Sequence, residues 1–128
     1  MKLLVDTHLL LWTAGQLPQL PQEAKELLGD IGNDPIFSVA SLWELAIKSA
    51  LGRPNFRVDI NRLRLRLLDN GWQELTVVAA HAVAVAKLPL IHKDPFDRML
   101  LAQAESEGLT LLTADARLAR YPGPVRLV

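Results

Sequence analysis

The chain has 128 residues, of which half are hydrophobic and 22% are charged, a composition typical of one folded domain and not of a disordered chain. Its 14 basic and 14 acidic side chains balance, so net charge gives no support for a nucleic-acid partner. The absence of cysteine excludes disulfides and leaves oxygen or imidazole ligands for any metal. We expect a single domain over residues 1–128, located in the cytoplasm, with no membrane association because the longest apolar run, residues 77–86, is too short to span a bilayer.

Short strand patterns alternate along the chain with helical ones. Apolar runs bounded by turn residues predict strands over residues 2–5, 36–39, 72–75, 109–113 and 125–128. Apolar residues at helical spacing, with capping residues before them and glycine or proline after them, predict helices over residues 7–15, 23–31, 41–51, 59–70, 77–86, 94–107 and 115–120. This alternation is typical of an α/β fold. We expect a three-layer α/β/α domain with a mainly parallel central sheet of about four to five short strands.

The segment 59–70 carries two competing patterns. Leucine and arginine alternate through its centre at the period of a strand, yet Ile60, Leu63 and Leu67 also share one helical face. A capping aspartate precedes these residues and an Asn-Gly pair follows them. We therefore predict a helix.

Four acidic residues follow strands in the predicted sheet. Asp6 directly follows the first strand and Asp115 lies just past the fourth. Glu44 and Asp97 fall in what we expect to be the first turns of the third and sixth helices. Because ligands of such sheets lie beyond the carboxyl ends of the strands, we expect these four side chains at one rim.

Each acid also has a purely structural explanation. Ser41 and Glu44 match a capping box, and Asp115 matches a helix N-cap. Arg98 and Lys93 are candidate salt-bridge partners. Two carboxylates about 4 Å apart, however, repel by roughly 4 kcal/mol at an effective dielectric constant of about 20. A cluster of acids must therefore be protonated, paired with basic side chains, or bound to a divalent cation.

The ligand chemistry favours a hard cation. Oxygen ligands without cysteine are typical of Mg²⁺ or Mn²⁺, which keep bound water molecules that can attack a phosphodiester. In the absence of metal, mutual repulsion would raise the pKa values of the clustered carboxylates, so the protein would become more stable as the pH falls.

Four segments form a recognisable set: residues 6–8 (Asp-Thr-His), 38–48 (Ser-Val-Ala-Ser-Leu-Trp-Glu-Leu-Ala-Ile-Lys), 88–104 (containing His-Lys-Asp-Pro-Phe-Asp-Arg) and 112–115 (Leu-Thr-Ala-Asp). In this order they resemble the motifs of PIN-domain ribonucleases, specifically the VapC-type toxins of toxin–antitoxin pairs. The long third motif is the most specific of the four.

The resemblance implies roles for particular residues. The family's acidic metal-binding quartet corresponds to Asp6, Glu44, Asp97 and Asp115, and the hydroxyls beside it to Thr7, Ser41 and Thr113. Asp94 corresponds to the first aspartate of the long motif, which we interpret as a helix cap and not as a principal ligand. The family further implies RNA cleavage with Mg²⁺ or Mn²⁺, inhibition by a VapB-type antitoxin, and a homodimer.

Two other functions stay open at this point. A receiver-like signalling module binds Mg²⁺ at an acid cluster, but it needs paired acids after the first strand and a lysine after the last, and here the first strand is followed by Asp6 and Thr7. The second alternative is a metal-dependent phosphatase that acts on small molecules, which the sequence distinguishes poorly from a nuclease.

The densest run of basic residues predicts a solvated face, with contact to phosphates as the alternative. The run comprises Arg57, Arg62, Arg64 and Arg66. We expect packing or surface roles for the remaining histidines and tryptophans: His8 and His92 at the surface or in packing, His81 in the core or an interface, and Trp12, Trp43 and Trp72 in the core.

Overall fold

The structure is a computed structural model that describes residues 1–15 and 17–128. Over those residues the chain forms five strands and six helices, in the order β1 (Lys2–Val5), α1 (Thr7–Gly15), α2 (Gln22–Gly29), β2 (Asp34–Ser38), α3 (Val39–Ala50), α4 (Ile60–Asp69), β3 (Gln73–Leu75), α5 (Ala79–Val85), α6 (Pro95–Glu107), β4 (Thr110–Thr113) and β5 (Val125–Leu127). Short 3₁₀ turns lie at Leu17–Gln19, Pro54–Phe56 and Leu118–Arg120. No helix in this described part of the chain is long and apolar enough to cross a bilayer.

The strands form one parallel sheet in the order β3-β2-β1-β4-β5. Their carboxyl ends therefore lie along a single edge. The strand order reverses at β1, which pairs with β2 on one side and with β4 on the other. In open parallel sheets, the crevice at such a reversal is the usual position of a ligand site. The crevice between β1 and β4 is thus the first place to look for function.

The core has two parts, one on each face of the sheet, because successive strand side chains point to opposite faces. One part joins α1, α2, α3 and α4 to the sheet through Val5, Phe37 and Leu112. The other joins α6 to the sheet through Leu4, Ile36 and Leu111. The prediction of a three-layer α/β/α fold with a parallel sheet is confirmed.

The helix α3 begins earlier than the sequence predicted. Ser38 is its N-cap, and the Ser38 hydroxyl accepts a hydrogen bond of 3.0 Å from the backbone N–H of Ala40. The predicted capping box of Ser41 and Glu44 is therefore wrong, since Ser41 lies in the first turn and Glu44 in the second. The Ser38 hydroxyl also donates to Gln103 of α6 at 2.6 Å, and this distant contact fixes which of the two serines caps the helix.

Other boundaries follow local chemistry more closely. The segment 59–70 is a helix as predicted, and the Asp59 side chain accepts from the backbone N–H of Arg62. Asp94 caps α6 as predicted, and Gly108 ends that helix in the left-handed region at φ 67°. The predicted helix over 115–120 is wrong, because only the 3₁₀ turn Leu118–Arg120 forms in a segment too short to nucleate an α-helix.

Candidate active site at the carboxyl edge of the sheet

Asp6 occupies the crevice between β1 and β4. Its backbone N–H donates to the carbonyl of Leu112 at 3.0 Å, and its side chain is almost fully buried. The carboxylate accepts hydrogen bonds from the backbone N–H of Leu9 at 3.1 Å and from the Thr113 hydroxyl at the end of β4. Burial raises the pKa of Asp6, and the hydrogen bonds from Thr113 and Leu9 only partly oppose this effect. Asp6 is therefore held rigidly in an environment that disfavours its charge.

Glu44 reaches the same region from α3 and is 2% exposed. One carboxylate oxygen, Oε2, pairs with the ammonium group of Lys48 one helical turn further on. The other oxygen, Oε1, is buried without a hydrogen-bond partner, and it is the single side-chain atom of that kind in the described ranges. A buried carboxylate oxygen without a donor is costly unless a cation completes its environment.

Asp97 lies in the first turn of α6, and the charges of the other acids act on its carboxyl group. Burial and then the charge of Asp94 raise its pKa to about 7; the charges of Asp6 and Glu44 add to the rise, and a hydrogen bond from His92 opposes it. His92 Nε2 lies 2.8 Å from Asp97 Oδ2. Burial and the neighbouring acids therefore disfavour the charged form of Asp97 when no cation is bound.

Asp115 differs from the other three acids because a guanidinium holds both of its carboxylate oxygens. The guanidinium of Arg117 contacts both carboxylate oxygens, at 3.1 and 3.2 Å. Burial acts to raise the pKa of Asp115, but the hydrogen bonds and charge of Arg117 lower it overall. The expectation of raised pKa values thus agrees in direction for Asp6 and Asp97, and it is wrong for Asp115.

The predicted hydroxyls lie between these acids. Thr7 at the start of α1 donates to Ser41 of α3 at 3.0 Å, and both are buried. Thr113 donates to Asp6 and accepts from the backbone N–H of Asp115 at 3.0 Å. Thr113 therefore links Asp6 to Asp115 across the crevice. Buried hydrogen bonds therefore join α1 to α3 through Thr7 and Ser41, and Asp6 to the end of β4 through Thr113.

His92 was not predicted to belong to the site. It is buried, and its ring nitrogen forms a tight group with carboxylate oxygens of Asp94 and Asp97, all within 4.8 Å of one another. Within the part of the chain that the structure describes, this is the one group of three or more potential ligands that is so close. The four acids predicted as a quartet lie less close together than this group. Asp6 bonds to Thr113, Glu44 to Lys48, and Asp115 to Arg117. His92 and Asp97 stand on either side of the start of α6, and their spacing in the sequence was the signal that could have placed His92 in the site.

The basic side chains predicted to pair with the acids, Arg98 and Lys93, are not the ones that do so in the structure. Arg98 does not pair with an acid: its guanidinium is buried and donates to the carbonyls of Val85 and Pro89 and to the Tyr121 hydroxyl. Lys93 is in no ion pair among the described residues. The cations beside the site are instead Lys48 and Arg117, which the sequence did not single out.

Comparison with known families decides the identity of the fold. A family model described as PIN domain matches residues 3–124. The chain belongs to the PIN domain family. The resemblance seen in the four sequence motifs is thus confirmed at the level of the family, while a search of curated proteins gives no match.

Solved structures share this PIN domain's fold along nearly its whole length. VapBC2 from Rickettsia felis, bound to a DNA fragment from its promoter, matches with a TM-score of 0.72 and 17% identity, covering 99% of this chain and 98% of that chain. VapBC-1 from nontypeable Haemophilus influenzae matches with a TM-score of 0.66 and 17% identity, covering 99% and 98%. Mycobacterium tuberculosis VapC20, described as a toxin that cleaves the Sarcin-Ricin loop, matches with a TM-score of 0.63 and 15% identity, covering 94% and 96%.

A divalent cation fits the acid cluster of this PIN domain. The donors are hard oxygens, and the Glu44 Oε1 atom is buried with no donor of its own. Asp97, with its raised pKa, would gain a compensating charge. Asp6 and Glu44 act on Asp97 through their charges, and His92 and Asp94 lie close to Asp97, so these side chains are the candidates to hold such an ion.

Proposed function

We propose that this PIN domain is a metal-dependent endoribonuclease that hydrolyses RNA phosphodiester bonds, and that it is the toxin of a VapBC-type toxin–antitoxin pair. The observation that carries the proposal is the buried Glu44 oxygen without a donor, in one electrostatic group with Asp6 and Asp97 at the strand-order reversal of the sheet. Lys48 and the raised pKa of Asp97 offset part of the repulsion in this group, and a bound cation would offset the rest and complete the environment of Glu44 Oε1. The family assignment and the solved VapC relatives support nuclease chemistry at that position.

Each residue of the site has a role in this proposal. Mg²⁺ or Mn²⁺ supplies an activated water and neutralises charge on the phosphate. Asp6, Glu44 and Asp97 hold the cation through oxygen atoms, and Asp115 completes that site or supports a second ion. Thr113 keeps the Asp6 carboxylate oriented through its hydrogen bond. We assign the hydroxyls of Thr7, Ser41 and Thr113 to the orientation of water or phosphate; Thr113 bonds directly to Asp6, and Thr7 bonds to Ser41.

The partners follow from the relatives. Several solved neighbours are described as VapBC complexes, which supports a VapB-type antitoxin as the partner of this chain. An arginine from that antitoxin would suit the acid pocket, because a guanidinium can pair with two carboxylates in a fork. A homodimer and a cytoplasmic location are proposed on family resemblance, and light scattering of the purified protein tests the former.

The decisive experiment is incubation of purified protein with total cellular RNA, with and without Mg²⁺ or Mn²⁺. We expect cleavage that requires metal and that is lost in Asp6→Asn, which keeps the side-chain volume but removes the charge. Asp94→Asn is the comparison variant and should lose far less activity, because asparagine caps a helix about as well as aspartate and Asp94 is the cap of α6. No cleavage by wild type with either metal, together with hydrolysis of small phosphate monoesters, would favour the phosphatase alternative.

A second experiment tests the toxin role. We expect expression of this chain alone to arrest growth, and co-expression of the small protein encoded beside it to restore growth. Unimpaired growth with abundant folded protein would favour the phosphatase or the receiver-like alternative. The Asp97→Asn variant serves as the inactive control, because it keeps the fold and loses a charged ligand.

A further inference from the structure

A groove of about 350 Å³ opens beside the proposed metal site. One end is formed by Asp6 and Asp115, and the other end by the rings of His8 and Trp12. A smaller hollow of about 150 Å³ shares His8 and Trp12 and adds the ring of Phe56. We call the two together the aromatic groove. The function proposed above uses its acidic end but leaves the aromatic end without a role.

The rings are placed there by the start of α1. His8 and Trp12 are four residues apart on this helix, so they lie one above the other on the same face. Their ring centroids are 6.0 Å apart, and the Phe56 ring packs edge-on against His8 at 5.5 Å. His8 is exposed, Trp12 is half-buried and Phe56 is buried. Phe56 therefore supports the exposed ring of His8 from behind, which leaves an aromatic surface open to the groove.

The rim next to these rings is basic, although the whole chain is neutral. Arg53 and Arg57 flank the 3₁₀ turn that carries Phe56, and both are exposed and in no ion pair among the described residues. The Lys48 ammonium group lies 4.7 Å from the centroid of the Phe56 ring. Lys48 pairs with Glu44, however, just as Arg64 of the basic run pairs with Glu74. Arg53 and Arg57, on either side of the turn that carries Phe56, are therefore the positive charges offered to a phosphate backbone.

The groove also offers groups that can bind the edge of a base. The exposed side chains of Asn55 and Gln19 line the smaller hollow. An amide side chain has both donors and acceptors, so it can hydrogen-bond to the edge of a nucleobase while the base stacks on a ring. Aromatic faces, amide groups and a basic rim are the combination that binds single-stranded nucleic acid.

We propose that the aromatic groove is a nucleobase subsite, in which a base that flanks the cleaved phosphodiester stacks on His8 and Trp12. This inference rests on the proposed ribonuclease function and extends it to substrate recognition. The substrate class is single-stranded RNA with an unpaired base next to the scissile bond. A helical RNA keeps its bases stacked inside the duplex and is a poor ligand for this groove.

The test measures binding of two fluorescein-labelled 8-mers by anisotropy in Mg²⁺. One is a uridine 8-mer, and the other is an abasic 8-mer with the same phosphates but no bases. All proteins carry Asp6→Asn so that the RNA is not cut. On that background we compare His8→Ala, Trp12→Leu and Trp12→Phe with the control Trp43→Leu, whose exposed ring lies outside the aromatic groove.

We expect Trp12→Leu and His8→Ala to weaken binding of the uridine 8-mer by about 5- to 150-fold, the range of one base stacked on a ring. Trp12→Phe should keep most of the affinity, and Trp43→Leu should keep all of it. The abasic 8-mer should bind every variant alike, because it has nothing to stack. Since His8 is exposed, His8→Ala remains informative if Trp12→Leu proves unstable.

Three outcomes overturn the inference. Unchanged affinity for the uridine 8-mer, or an equal loss for both 8-mers, would show that bases do not bind here. Loss of antitoxin binding with unchanged RNA binding would assign the groove to the partner protein instead. The ribonuclease proposal fails separately, when wild-type protein with Mg²⁺ or Mn²⁺ leaves total RNA intact, so the two failures are distinguishable.

Discussion

Asp97 and Asp115 both follow the carboxyl edge of the sheet, but their surroundings are opposite. Asp97 is 17% exposed, and the acids Asp94, Asp6 and Glu44 raise its pKa further after burial has raised it, to about 7. Asp115 is 27% exposed and is held by Arg117, which lowers its pKa. One half of the site therefore carries negative charge that its own side chains do not balance, while the other half is already neutralised. The difference indicates where a cation is needed most.

The two aspartates also affect stability with opposite signs. The folded-state pKa of Asp97 lies above its ordinary value of 3.8, so its contribution to stability is fully present below about pH 3.8 and is lost as the pH rises through 7. The folded-state pKa of Asp115 is lowered, so its contribution is present above pH 3.8 and is lost as the pH falls through the folded-state value. These signs hold for the metal-free protein.

The largest expected effect is on catalysis. Asp97→Asn should reduce metal-dependent RNA cleavage by roughly 1,000-fold, because it removes a charged ligand worth several kcal/mol. Asp115→Asn should reduce the cleavage rate by about 10- to 100-fold, which is the usual loss when a residue next to the metal ligands is replaced. Initial rates at saturating Mg²⁺ measure both. Equal losses in the two variants would mean that the halves of the site do not differ as their surroundings indicate.

Lys48 is the one lysine or arginine that pairs with Asp6, Glu44 or Asp97 in the described part of the chain, and its removal should destabilise the metal-free protein. Lys48→Met leaves the buried Glu44 carboxylate without a cation, at a cost of about 3 kcal/mol. Urea unfolding in chelator measures the loss. Because a bound metal would replace the missing charge, Mg²⁺ should stabilise Lys48→Met more than wild type. If Mg²⁺ shifts neither protein, the acids are not a metal site.

The pH dependence of stability separates Asp97 from Asp115. In chelator, lowering the pH from 7.5 to 5.5 should stabilise wild type by about 2 kcal/mol relative to Asp97→Asn, which has no group titrating in that range at this position. Asp115→Asn should keep the wild-type gain. Thermal melts of the three proteins at both pH values provide the measurement. A wild-type protein that loses stability relative to Asp97→Asn on acidification would contradict the raised pKa of Asp97.

The edge of the sheet where the acids meet was predictable from sequence. Strand and helix periods alternate clearly, and a parallel sheet brings the carboxyl ends of its strands together, so Asp6 and Asp115 follow from local patterns. The cap of α3 was not predictable, because Ser38 and Ser41 are equally good caps and a contact to Gln103, 65 residues away in the chain, decides between them.

The partners of the acids were less predictable than the acids themselves. Lys48 stands four residues after Glu44 on α3, a spacing that predicts contact between two helical side chains. Arg117 stands only two residues after Asp115, so their contact depends on the conformation of the turn between them. Arg98 is next to Asp97 in sequence, yet the helix directs it to backbone carbonyls. Trp43 was expected in the core and is 63% exposed, because hydrophobicity alone does not distinguish a core residue from one in an open apolar groove.

The smallest expected effect concerns Arg117. Its side chain is 66% exposed, so its pair with Asp115 is screened by solvent, and Arg117→Gln should leave the free energy of unfolding at pH 7 nearly unchanged. The pKa of Asp115 should nevertheless rise, because the hydrogen bonds and charge that lower it are gone. NMR titration of the Asp115 carboxyl carbon in chelator measures that rise, with Arg126→Gln as the control, since that arginine is also exposed but pairs with Glu23. An unchanged Asp115 titration would show that Arg117 is not what distinguishes the two halves of the site.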